Sequence, residues 1–160
     1  MFKLKRIIIA KITISVIIIL FAVNCSKDQN TFLPYVRVNL HISLVNQNHL
    51  NISGNSILFQ YYGVKGVLVE CVNPETNLYY AYDAGCPYEK DYSGIVEVKS
   101  AEILKSPPGM IYRSGFIGKC NKCGSEFNLM AGGQLVKGPA THDLQNYHVS
   151  TGFESLMVTN

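Results

Sequence analysis

Gly66-Val67-Leu68-Val69-Glu70-Cys71-Val72-Asn73-Pro74-Glu75-Thr76-Asn77-Leu78-Tyr79-Tyr80-Ala81-Tyr82-Asp83 decides the fold class of this 160-residue chain. Gly66 to Val72 is rich in β-branched residues, which suit a pleated, buried surface. Asn73 to Asn77 gathers turn formers: proline presets one backbone angle, and the Asn side chains bond nearby backbone. Leu78 to Asp83 returns as a tyrosine-rich run. The stretch predicts an antiparallel hairpin that delivers the chain to Cys86-Pro87-Tyr88.

The flanking segments read the same way. Tyr35 to Leu44 alternates apolar and polar residues, the period-two pattern of a half-buried strand. Asn46 to Asn55 is Asn-rich and reads as a loop. Ile95 to Leu104 alternates in part, Pro107-Pro108-Gly109 breaks it, and Met110 to Ile117 returns. This predicts a second hairpin, which ends at Cys120-Asn121-Lys122-Cys123-Gly124-Ser125. Gln134 to Val136 is a short strand. Tyr147 to Ser150 and Phe153 to Val158 pair across Thr151-Gly152. No helical apolar face is sustained after residue 25, and no repeat is present. The expectation is an all-β antiparallel sandwich or barrel with two cysteine-bearing loops.

The first residues carry Lys3, Lys5 and Arg6, followed by an apolar stretch from Ile7 to Val23 broken at Lys11. Its uninterrupted part is shorter than the ~20 residues a spanning helix needs. Residues 1–24 therefore read as an export signal; an uncleaved N-terminal anchor is the alternative. Four of the 14 basic residues lie there, leaving ten against eleven acidic ones, so the formal +3 reports targeting. A mature chain without a basic, aromatic-interleaved stripe gives no footprint for nucleic acid.

Ala22-Val23-Asn24-Cys25 resembles the lipobox of bacterial lipoproteins, with Asn24 in place of the usual small residue. The resemblance implies lipid attachment at Cys25 and an exported, outer-membrane-anchored protein, its periplasmic or surface orientation left open. Two acyl chains on one cysteine suffice for stable anchoring. Residues 25–34 would form the tether and 35–160 the β domain.

Four cysteines remain: Cys71, Cys86, Cys120 and Cys123. In an exported chain they could form two disulfides. Cys71, however, sits at the far end of the first hairpin, with its expected cross-strand neighbour near Leu78. Cys86 lies eight residues beyond Leu78, about 25 Å of extended strand. Cys71 is thus expected in the core. A Cys-x-x-Cys pair can also act as a thiol–disulfide couple, but that pair usually opens a helix in an α/β fold.

The second cysteine stretch runs on through Phe127 and Gly132-Gly133 to Gly138-Pro139-Ala140. From Gly66 to Val149 the chain resembles the Rieske iron–sulfur family, most closely small Rieske-like envelope lipoproteins. In Rieske centres two cysteines hold one iron and two histidines the other. Cys86 and Cys120 stand at the cysteine positions, and Tyr88 and Cys123 at the two histidine positions. Ser125 stands where a hydroxyl donates to the cluster. Phe127 replaces a tyrosine, and Gly138-Pro139-Ala140 matches the loop that covers the cluster. Asp91 and Lys122 occupy the positions of the respiratory inter-loop disulfide. The resemblance implies a [2Fe–2S] cluster and one-electron transfer.

The metal candidates are therefore Cys86, Cys120 and Cys123, with His142 or Tyr88 as fourth ligand. A phenol loses its proton only at a pKa of about 10, which disfavours Tyr88. A Cys3His set with His142 would suit tetrahedral zinc. A [2Fe–2S] cluster, zinc, or a metal-free binding module all remain open. The expected partners are the membrane, through the lipid, and an unidentified protein. No nucleophile–base pair, phosphate loop or role-bearing carboxylate pair points to an independent enzyme.

Overall fold

A computed structural model of the chain describes residues 33–89, 91–99 and 108–160. The expected export signal, the expected lipid site at Cys25 and the expected tether up to residue 32 lie outside the described residues. Among those described, no helix is long and apolar enough to cross a membrane.

The strands are β1 (Asn39–Ser43), β2 (Asn55–Phe59), β3 (Val67–Asn73), β4 (Leu78–Asp83), β5 (Val96–Val98), β6 (Met110–Ser114), β7 (Ile117–Cys120), β8 (Glu126–Asn128), β9 (Gln134–Lys137), β10 (Asn146–Gly152) and β11 (Ser155–Thr159). Two short 3-10 turns, Asn48–Asn51 and Leu129–Ala131, complete the regular structure of the described residues. The fold is all-β, as expected. One antiparallel sheet runs β1-β11-β10-β4-β3-β2-β6 and a second runs β5-β7-β8-β9.

The hairpin that decided the fold class is β3–β4. Asn73 Oδ1 accepts from the N–H groups of Glu75 at 2.9 Å and Thr76 at 3.3 Å, closing the turn. A bulge after Cys71 shifts the register, so Cys71 faces Tyr79 and Asn73 faces Leu78. The alternation expected over Tyr35 to Leu44 survives as β1, where Leu40 and Ile42 are buried and Asn39 and His41 exposed.

Three expectations are corrected. The expected pairing of Ile95–Leu104 with Met110–Ile117 holds, among the described residues, only at its end: β5 (Val96–Val98) pairs with β7, which begins at Ile117, whereas Met110–Ser114 (β6) pairs with β2 in the larger sheet. The chain changes sheets between Ser114 and Ile117, so a run that looked like one returning strand is two. The end of the presumed Asn-rich loop opens β2, whose five residues are all buried. In the last hairpin Gly152 pairs with Ser155, so the turn is Phe153-Glu154 rather than Thr151-Gly152. Glu154 takes a left-handed φ of 49° there, and Phe153 stands exposed.

The larger sheet is buried on both faces around β3. Successive residues of a strand point to opposite faces. Val67, Val69 and Cys71 enter one apolar core with Leu40, Ile42, Ile57 and Val158. Leu68 enters a second core with Leu58, Tyr82, Val96, Phe127 and Leu129. Cys86 and Cys120 belong to this second core, which places their thiols beneath the loop tips. Tyr82 donates to the Leu129 carbonyl at 2.7 Å, tying the sheets together. Glu70 interrupts the apolar run of β3. It is fully buried beside Ser56 of β2, and neither carboxyl oxygen completes a hydrogen bond.

Candidate metal centre

The β5–β7 pairing positions both cysteine loops. Val96 lies opposite Cys120. The Ile95 N–H donates to Asn121 Oδ1 at 3.1 Å, and the Asn121 N–H to the Ile95 carbonyl at 3.0 Å. The first loop closes on itself where the Cys86 N–H meets the Gly94 carbonyl at 3.0 Å. The second closes where the Cys120 N–H meets the Ser125 carbonyl at 2.8 Å. Two tight turns held side by side by one strand pair bring their sulfurs to one point.

The Sγ atoms of Cys86, Cys120 and Cys123 all lie within 4.8 Å of one another. Cys86 Sγ and Cys123 Sγ are 3.6 Å apart. Cys86 and Cys120 are buried and Cys123 is half-buried. Gly94 permits this closeness. A Cβ there would stand 3.0 Å from Cys120 Sγ and 3.1 Å from Cys86 Cβ. Nothing in the sequence distinguishes Gly94 from an ordinary turn glycine.

Ser125 links the second loop to the covering loop. Its Oγ accepts from the Cys123 thiol at 3.1 Å and from the Ala140 N–H at 3.0 Å. Gly138 has a φ of +115°, and a Cβ on it would stand 2.5 Å from Ser125 Cα. Only glycine combines that backbone angle with that approach. Phe127 is fully buried beneath the site, whereas Pro139 is exposed on the covering loop.

The other candidates lie elsewhere. His142 is exposed beyond the covering loop and is not part of the three-sulfur group. Tyr88 meets Cys86 through its backbone N–H, while its side chain is half-exposed. Cys71 is buried in the other core.

The thiols are electrostatically unlike. Burial pushes Cys86 well above the usual thiol range, the neighbouring thiols add to this, and the Tyr88 N–H only partly offsets it. Burial also acts upward on Cys123, but the Ser125 hydroxyl and N–H, with the other two thiols, outweigh it and hold Cys123 below its usual value. Hydrogen bonds to the charged form favour it, and a thiolate is the form that binds metal.

Two further groups support the site. Lys122 reaches Asp91 at 3.4 Å and also Ser93, joining the two cysteine loops. Asp83, fully buried at the end of β4, accepts from the N–H groups of Val64 at 2.6 Å, Lys65 at 3.1 Å and Gly85 at 2.8 Å. It also accepts from the Tyr147 hydroxyl at 2.7 Å. It thereby anchors the strand end just before Cys86. In the sequence Asp83 is marked only as an acid that closes an apolar strand run; its burial and partners are visible only in the structure.

A Rieske cluster divides four ligands between two irons. The donor set here is three sulfurs gathered around one point, so it does not fit that pattern. It does fit a single ion. With a zinc–thiolate bond of ~2.3 Å, tetrahedral geometry sets sulfurs about 3.8 Å apart, close to the 3.6 Å between Cys86 Sγ and Cys123 Sγ. No protein-family model, curated protein or solved structure matches this chain.

Proposed function

We propose that this domain is a thiolate metal-binding module that holds one ion through Cys86, Cys120 and Cys123. The observation that carries this is the convergence of three sulfurs from two loops within 4.8 Å. Coordination would cross-link the loops and add its binding free energy to folding. The module would sit at the cell envelope, carried by lipid on Cys25, and act as a binding or structural element with a protein partner. When bound, the ion supplies charge for the thiolates. The chain's own contribution is to orient the sulfurs, exclude water from Cys86 and Cys120, and stabilise the Cys123 thiolate through Ser125.

A second reading is one-electron transfer through a [2Fe–2S] cluster. It is favoured by Ser125 and the Gly138–Ala140 loop, which stand where the Rieske resemblance assigns a sulfur-bonding hydroxyl and a cover. Anaerobic purification followed by metal and acid-labile sulfide analysis separates the readings. One equivalent of a single ion, lost in Cys86→Ser and Cys120→Ser, supports the module. Iron with matching sulfide and a broad visible absorption supports the cluster. A protein that takes up no ion while its three thiols stay reduced overturns both.

A further inference from the structure

The shell gathered at the loop tips is the three sulfurs of Cys86, Cys120 and Cys123. Among the described residues no imidazole, carboxylate or fourth thiol shares their 4.8 Å group. The inner side of the site is closed by apolar neighbours of Cys86 and Cys120, including Val96, Phe127 and Ala140. A Cβ on Gly94 would meet both of those cysteines, so Gly94 packs closely against them. Ser125 Oγ is already occupied by the Ala140 N–H and the Cys123 thiol. Zinc takes four ligands in structural sites. Three thiolates would leave it a fourth position to be filled from outside. Soft ions are drawn to thiolate donors irrespective of shell size. Some of them, trivalent arsenic and cuprous copper among them, complete their shell with three sulfurs.

We propose that the Cys86–Cys120–Cys123 site selects thiophilic ions that are satisfied by three sulfurs, and that trivalent arsenic binds it through all three. The inference rests on the metal-binding reading above and deepens it. Arsenous acid, As(OH)3, is the form that reacts. Three As–S bonds form and three As–O bonds break. Each departing hydroxide takes one thiol proton and leaves as water, so three waters are released and no oxidation state changes. The apolar floor favours this exchange because neither the reactant nor the bound product carries net charge at the arsenic.

The test uses the full chain, reduced and anaerobic, titrated with sodium arsenite and separately with zinc sulfate. Near-UV absorption follows sulfur–arsenic bonding, and X-ray absorption at the arsenic edge counts the neighbours. The expected result is one arsenic per chain with three sulfur neighbours and no oxygen, and displacement of zinc by equimolar arsenite. Cys71→Ser should bind unchanged. Cys123→Ser, an isosteric change at a partly buried position on the edge of the second core, should keep its far-ultraviolet strand signal and lose the three-sulfur signature. Arsenic held by two sulfurs, or zinc bound through four protein ligands and not displaced, overturns this inference and leaves the metal-binding reading standing. Failure of both ions to protect the reduced thiols removes both.

Discussion

Lys122 Nζ lies 3.4 Å from Asp91 Oδ2, so an ion pair bridges the two cysteine loops. Both partners are largely exposed, so the pair is screened by salt and holds the loops weakly. Metal coordination would be the stronger tie between them.

Asp91 should show this in its pH response. Its pKa is lowered from 3.8 to about 2, first by the Ser93 hydroxyl, then by the Ser93 N–H, with Lys122 adding to it. A depressed folded pKa gives stability that is full above the usual carboxylate value and lost as pH falls through the folded one. Protection of the Lys122 and Cys123 amides, measured relative to intrinsic exchange, should therefore fall between pH 4 and pH 2 in the native protein. Asp91→Asn should lack that step and exchange faster throughout.

Ser125→Ala removes the acceptor of a buried Ala140 N–H and the partner of Cys123. An orphaned buried donor costs about 1–3 kcal/mol, which denaturant unfolding would read. Loss of a hydrogen bond that orients a ligand should weaken ion binding about 10–100-fold. Binding unchanged in a folded Ser125→Ala would show that Ser125 does not tune the thiols.

Gly94→Ala tests the packing of the sulfurs. The added methyl would meet Cys120 Sγ at 3.0 Å and Glu89 Cγ at 2.5 Å. Glu89 can swing aside, whereas the thiol cannot move without opening the site. Overpacking of this kind costs about 1–3 kcal/mol. Ion affinity should fall more than stability does, because the thiol spacing changes while the core remains.

Asp83→Ala should be the most damaging single change near the site. It leaves three N–H groups and the Tyr147 hydroxyl without their acceptor. The expected loss is about 3–5 kcal/mol, and Tyr147→Phe should lose about 1–2 kcal/mol. A small effect of Asp83→Ala in urea unfolding would contradict its role as an anchor.

Glu70 predicts the opposite pH trend. Burial raises its carboxyl from 4.5 to about 9, against a weaker downward pull from Ser56. The folded state thus binds its proton more tightly than the unfolded state. Its contribution is fully present below pH 4.5 and is lost as pH rises toward 9. Glu70→Gln removes that dependence and should stabilise the protein at pH 7 by about 2–3 kcal/mol. Parallel stability curves for the two proteins from pH 5 to pH 8 would refute this.

Much of the architecture is legible in local pattern. The turn chemistry of Asn73–Asn77 specifies the β3–β4 hairpin, and the alternation from Tyr35 specifies β1. The spacing within Cys120-Asn121-Lys122-Cys123 and the glycine of the covering loop point to a site at the loop tips. These signals act over a few residues, where backbone preference and side-chain period are decisive.

Strand partners and the identity of the neighbours around the sulfurs were decided only in three dimensions. Met110–Ser114 has the character of a strand, but pairing with β2 rather than β5 depends on which buried edge it completes. Gly94, Asn121 and Asp83 gained their importance from groups distant along the chain, through contacts that no local period encodes. His142, close to the covering loop in sequence, came to lie outside the sulfur group because the chain after Ala140 turns to the surface. Local order follows from each residue's own torsional and hydrophobic preferences. Convergence of the three thiols follows from non-local sheet pairing, whose free energy is shared among strands too far apart in sequence for any one of them to reveal it.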